Sequence, residues 1–151
     1  MTLRGRIASP LIASADEYQR LKAKTELFRL IGRTAADGLA IFRGSVFVDC
    51  NPALEDMFNR SRDEILGRTP WQIGTPDEAA AEEARVVGEE YLERAYAGEP
   101  VRFQWEHVMR DHELRIHDVA MTRFDLDDGP RLFCWVRDVT EAVQSQRELH
   151  R

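Results

Sequence analysis

Residues 101–138 hold three strand patterns separated by only two short turns, and that run constrains the fold more than any other feature. Val101, Phe103 and Trp105 alternate with Arg102, Gln104 and Glu106, the period of a half-buried strand. Arg110-Asp111-His112-Glu113 supplies a turn, a second strand covers about 114–124, and Asp127-Asp128-Gly129-Pro130 supplies another turn. Leu132-Phe133-Cys134-Trp135-Val136 is apolar at every position, which predicts a central strand covered on both faces. Connections this short join antiparallel neighbours, because a parallel pair needs a long crossover.

The preceding residues supply two more strands and most of the helices. Leu39-Ala40-Ile41-Phe42 and Val46-Phe47-Val48 flank Arg43-Gly44-Ser45, the signature of a β-hairpin. Asn51-Pro52 then pairs a good N-cap with a residue suited to the first helical position. The helix behind it presents Leu54, Met57 and Phe58 on its apolar face. Ser61-Arg62-Asp63-Glu64 reads as a capping box and starts a short helix ending at Gly67. Thr75-Pro76-Asp77-Glu78 reads as a further start. Its helix runs to about Ala97, with Ala80, Ala84, Val87, Tyr91 and Ala95 on one face and Gly98 as its stop. Further upstream, Ser14 to Glu17 fits a capping box, and Tyr18, Leu21, Phe28 and Ile31 follow at mostly helical spacing. The expected organisation is a leader over 1–13, an amphipathic helix over 14–33, an α+β domain over 34–140, and a polar linker helix beginning at 141–151. Early and late strands divided by helices imply one mixed α+β domain with its helices on a single face.

Composition removes several classes of function. The chain has 151 residues, with 21 Lys and Arg against 27 Asp and Glu and a formal charge of -6. That balance disfavours nucleic acid as a partner, since phosphate binding needs a basic surface. No apolar run is long enough to span a bilayer, and the N-terminal apolar stretch is too short for a signal-peptide core. A cytoplasmic location with no membrane contact is expected. The two cysteines, Cys50 and Cys134, make no CxxC motif and read as buried free thiols.

Taken in order, Asp37-Gly38, Asn51-Pro52-Ala53, Phe58, Ser61 to Gly67, Phe103-Gln104-Trp105 and Arg137-Asp138-Val139-Thr140-Glu141 resemble a PAS (Per-Arnt-Sim type) domain of the bacterial sensor kind, over roughly residues 34–141. The resemblance implies a five-stranded antiparallel sheet cupping a pocket beneath short helices. It implies a sensory module of a two-component or similar signalling system. Its output, in the same polypeptide and absent from this sequence, would be a histidine kinase, a cyclic-dinucleotide enzyme or a further PAS unit. It also implies a homodimer built on the amphipathic helix through Tyr18, Leu21, Phe28 and Ile31. Asp138 and Thr140 would relay movement of the sheet to the output helix, since both side chains can bond the backbone where strand becomes helix.

The pocket follows from strand alternation. Phe103, Trp105 and His107 share one face, and His117, Val119 and Met121 share another. Facing the helices, they would line a cavity with Met57, Phe58, Trp71 and Tyr91. Its polar contacts would be His107, His117 and Arg115, which suits a small apolar molecule with an acidic or hydroxyl head. A core filled by its own side chains, serving dimerisation alone, is the competing reading. The resemblance disfavours haem, since PAS domains that bind it usually place a His on the longer helix and 75–97 contains none. The resemblance also disfavours a flavin–cysteine adduct, since PAS photosensors carry their reactive Cys on the helix after the Gly67 position and Gly67 to Ile73 contains no Cys. A three-residue turn would set His107 directly across from His117, but two histidines lack the further ligands zinc requires, and no metal is assigned. A small cupped α+β enzyme is the remaining alternative. It would need an inward base, and alternation turns Glu106 and Asp118 outward. Phosphate-loop, nucleophile-elbow and zinc-protease motifs are absent from the sequence, and no catalytic residue is assigned.

Overall fold

The computed structural model describes residues 37–150. Strands β1 (Gly38–Arg43) and β2 (Val46–Cys50) form the first hairpin. Helices α1 (Pro52–Phe58), α2 (Arg62–Ile65), α3 (Pro70–Ile73) and α4 (Glu78–Tyr96) follow. Strands β3 (Val101–Val108), β4 (Leu114–Leu126) and β5 (Gly129–Asp138) then lead into α5 (Thr140–Leu149). The sheet order is β2-β1-β5-β4-β3, and every pair is antiparallel. The all-apolar segment 132–136 therefore occupies the central strand, as its pattern predicts. Leu132, Cys134 and Val136 are buried on the inner face, while Phe133 and Trp135 are half-buried on the outer one. The predicted amphipathic helix and its residues Tyr18, Leu21, Phe28 and Ile31 lie outside the described residues.

Short polar side chains start each inter-strand helix, because the first turn of any helix leaves N–H groups without backbone partners. Asn51 Oδ1 accepts from Leu54 N at 3.1 Å and from Leu39 N at 2.8 Å, while its Nδ2 donates to Asp37 O at 2.9 Å. One side chain thus caps α1 and fastens the helix to the start of β1. Ser61 and Glu64 form the expected capping box on α2. A second box, Thr69 with Gln72, starts α3 with Pro70 in its first turn, a helix too short to show a periodicity of its own. The start of α4 differs from expectation. Asp77, not Thr75, is its N-cap, accepting from Ala80 N at 2.8 Å. Thr75 Oγ1 instead donates back to Trp71 O at 2.6 Å and closes α3. Gly98, at φ +99°, ends α4 in the left-handed region that side chains disfavour.

The core lies between the inner sheet face and the helices. Ile65 and Ile73 are fully enclosed there with Leu54 and Leu132. Gly38 permits a close crossing of α1 over β1: a Cβ at that position would meet Leu54 Cδ1 at 2.8 Å and Met57 Sδ at 3.1 Å.

Candidate functional site: a cavity beneath the helices

A cavity of about 700 Å³ separates the inner face of the sheet from α3 and α4. That volume is within the range of small-molecule sites and far exceeds ordinary packing defects. Its floor comes from β3, β4 and β5 through Phe103, Trp105, His117, Val119, Met121, Cys134 and Val136. Phe58 and Leu54 close one end, and Trp71 and Tyr91 form the helical wall. Exposed residues on the rim are Glu83 and Val87 from α4 and Gln104, Glu106 and Val108 from β3. The cavity therefore opens between that helix and the edge strand. Small residues create the room: Ala80, Ala84 and Gly88 of α4 line the cavity. Gly88 is needed because an added Cβ would fall 2.8 Å from Trp71 Cε3.

Aromatic contacts stiffen the walls. Tyr91 stacks on Phe103 with centroids 3.8 Å apart, and Trp105 stacks on His107 at 4.1 Å. Both arrangements follow from strand alternation, which sets side chains 103, 105 and 107 on one face. Gly74 lets the second stack form, since a Cβ there would meet Trp105 Cη2 at 2.9 Å and His107 Nδ1 at 3.2 Å.

The two buried histidines sit at one end of the cavity. Trp105, not His107, stands opposite His117, and His107 pairs with Arg115. The expected direct His–His pairing is thus displaced by one inward-facing position, because five residues, 109–113, connect the strands and Met109 folds into the core. The rings still meet on the diagonal. His107 Nε2 lies 3.1 Å from His117 Nδ1, and His107 Nδ1 lies 2.7 Å from Gly74 O. Burial pushes His107 below the usual histidine range despite the Gly74 bond. Burial, with His107 as a like-charged neighbour, pushes His117 down to about 4, against the pull of Asp138. Both rings are therefore neutral at pH 7. No group of three or more potential metal ligands occurs among the described residues.

Most of the predicted pocket residues converge on this cavity: Phe58, Trp71, Tyr91, Phe103, Trp105, His107, His117, Val119 and Met121. Met57 does not, because it packs toward Gly38 at the far side of α1. Arg115 also stays outside, held by Glu113 at 2.8 Å and near Asp111 at 3.7 Å. Leu54, Cys134 and Val136 line the cavity in addition to the expected residues, each from an inward position of its element. Glu106 and Asp118 face the outer side, paired with Arg147 at 3.0 Å and Arg102 at 2.6 Å. Cys134 is buried and Cys50 half-buried. Burial raises their thiols to about 12 and about 11, so both stay protonated and unreactive.

The joint between β5 and α5 is held as its sequence predicts. Asp138 Oδ1 accepts from Thr140 N at 2.9 Å and from Thr140 Oγ1 at 2.5 Å. Thr140 Oγ1 accepts from Ile116 N at 2.8 Å, and Val139 N donates to Ile116 O at 2.9 Å. The start of α5 is thus stitched to β4 as well as to β5.

A family model described as the PAS fold matches residues 35–144. The chain belongs to the PAS family. Solved PAS structures share the fold. A domain of a sensory box sensor histidine kinase/response regulator from Geobacter sulfurreducens is 23% identical, with a TM-score of 0.62 over 78% of this chain and 96% of that one. The PAS domain of BvgS from Bordetella pertussis is 19% identical, with a TM-score of 0.62 over 85% and 95%. A PAS domain of a LuxR-family transcriptional regulator from Burkholderia thailandensis, solved in complex with ethanol, is 20% identical, with a TM-score of 0.59 over 74% and 96%. No curated protein matches the sequence.

Proposed function

We propose that this PAS domain is a sensory module whose cavity takes a small, largely apolar molecule and whose state is passed to an output domain through α5. The cavity carries the reading. A filled core would leave no room, whereas about 700 Å³ lined mainly by aromatic and aliphatic side chains accepts a molecule of roughly 10–20 non-hydrogen atoms. Every ring nitrogen on His107 and the Nδ1 of His117 is engaged by the protein, which favours an uncharged occupant. Membership of a family found in sensor kinases and regulators supports the signalling role, as do neighbours of similar fold from such proteins. A similar fold holding ethanol supports a small neutral guest. The outward pairing of Glu106 and Asp118 supports a binding role over catalysis.

A homodimer through residues 14–33 and a cytoplasmic setting complete the proposal. No helix among the described residues is long and apolar enough to cross a membrane. Light scattering of the whole chain at high concentration tests the dimer, and a monomer would remove it. For the cavity, the test is mass spectrometry of molecules released on denaturing the purified protein, with thermal shifts against indole and short alcohols. A released molecule, or a shift that A84W abolishes, is expected. No released molecule and no shift would remove the ligand from the account.

A further inference from the structure

Two imidazole rings span the distance between the cavity wall and the output joint, and both ends of the chain they form are hydrogen-bond acceptors. At one end is the Gly74 carbonyl, 2.7 Å from His107 Nδ1. In the middle, His107 Nε2 and His117 Nδ1 are 3.1 Å apart. At the other end, His117 Nε2 lies 3.9 Å from Asp138 Oδ2. His117 is completely buried, and its Nε2 is the one buried side-chain nitrogen or oxygen among the described residues with no hydrogen-bond partner.

The acceptors at both ends fix where the hydrogens of the pair must sit. A carbonyl only accepts, so His107 Nδ1 carries hydrogen. Neutral His107 then has a bare Nε2, and His117 Nδ1–H must donate to it. Neutral His117 is left with a bare Nε2 aimed at a carboxylate, two acceptors with nothing between them. The other neutral tautomer of His117 satisfies Asp138 but sets two lone pairs against each other at 3.1 Å. Two hydrogens on the pair therefore cannot satisfy three contacts, and three can. With one added proton, whichever ring carries it, His117 Nε2 becomes a donor to Asp138.

We propose that the His107–His117 pair is a second, proton-driven input of this domain: uptake of one proton closes the His117–Asp138 contact and shifts the Asp138–Thr140 joint at the base of α5. The charged groups around His117 are few. His107 approaches from β3, Arg115 lies on β4 itself, and Asp138 comes from β5. α1 contributes the Phe58 ring edge, with centroids 5.3 Å apart, and the end of α3 contributes only the Gly74 carbonyl. His107 and Arg115 oppose the proton, and Asp138 draws it. Asp138 is suited to pass the change on. Its Oδ1 holds Thr140 N and Oγ1 while Oδ2 faces His117, so closing the latter contact turns the carboxylate that anchors α5.

Nitrogen-15 NMR of the histidine rings, together with backbone amide shifts, tests it in the whole chain. At neutral pH both rings are expected as Nδ1–H tautomers. On acidification His117 Nε2 should gain its proton, and the amides of Val139, Thr140 and Glu141 should move with the same midpoint. D138N keeps a carbonyl oxygen for Thr140 and offers an amide N–H to His117 Nε2, so these amide shifts should lose their pH dependence. An Nε2–H tautomer of His117 at neutral pH would overturn the proposal. So would joint amides that stay still, or move at a different midpoint, while His117 titrates. If D138N fails to fold, the titration of the unmodified protein decides alone.

Discussion

Acidification should destabilise this domain well before its carboxylates protonate, and the buried histidines set the size of the effect. His117 titrates near 6.5 when unfolded and is pushed down to about 4 in the fold, chiefly by burial. The unfolded chain therefore binds the proton that the folded one refuses. Stability from this group is complete above about pH 6.5 and is lost as pH falls toward 4. One such group changes the unfolding free energy by at most about 1.4 kcal/mol per pH unit, or about 3 kcal/mol across the window. His107 is shifted in the same direction by burial and adds to the slope. The Asp138 carboxyl enters only below this window. Burial works to raise it, but bonds from the Thr140 hydroxyl and amide hold it below the usual range, so its own contribution is lost only in stronger acid. Urea denaturation at half-unit steps from pH 7 to 4.5 measures the slope, with H117Q as the comparison. H117Q should start lower at pH 7 and fall less steeply. Equal stability at pH 6.5 and 4.5 in the unmodified protein, or parallel slopes in the two proteins, would refute the assignment of a buried neutral His117.

Other perturbations follow from close contacts. G88A places a Cβ 2.8 Å from Trp71 Cε3; about 1–3 kcal/mol of overpacking should outweigh the gain of about 1 kcal/mol in helix propensity, lowering Tm and shifting Trp fluorescence. G74A crowds both Trp105 and His107 and should weaken the His107–Gly74 bond, at a cost of about 1–3 kcal/mol in chemical denaturation. D37A removes the acceptor for Trp135 Nε1 at 3.0 Å and for Arg137, and should destabilise by about 1–2 kcal/mol with its effect concentrated in hydrogen exchange of the β1–β5 ladder.

The sheet was legible because its signals are local. Alternation in 101–106 and the unbroken apolar run 132–136 state which strands are half-covered and which is central. Asn51-Pro52 and Ser61 to Glu64 state where helices begin, and the structure uses both caps as read. Thr75 and Asp77 were harder to tell apart, since either side chain can cap a helix and the choice turns on Thr75 bonding backward to Trp71. The α3 helix is only four residues long, shorter than any periodicity can reveal, although Thr69-Pro70 and Gln72 carried the cap signature. The inward faces of β3 and β4 were legible, but not their register. Period-two alternation fixes which face a residue shares, whereas the partner across the ladder depends on how many residues Met109 draws into the connection. The cavity itself could not be read from spacing, because it depends on how far Ala80, Ala84 and Gly88 allow α4 to stand from Phe103 and Trp105.

The most direct test is whether filling the cavity is felt at α5. Methyl NMR of Val119 and Met121, recorded with the amides of 138–143 during titration with the molecule recovered from the protein, or with indole, joins the two ends in one experiment. Saturable shifts at the cavity methyls, with shifts of the same midpoint at Asp138 to Val143, are predicted, and A84W should abolish both. Saturable binding at the methyls with α5 unmoved would contradict the sensory account and leave a binding pocket without an output.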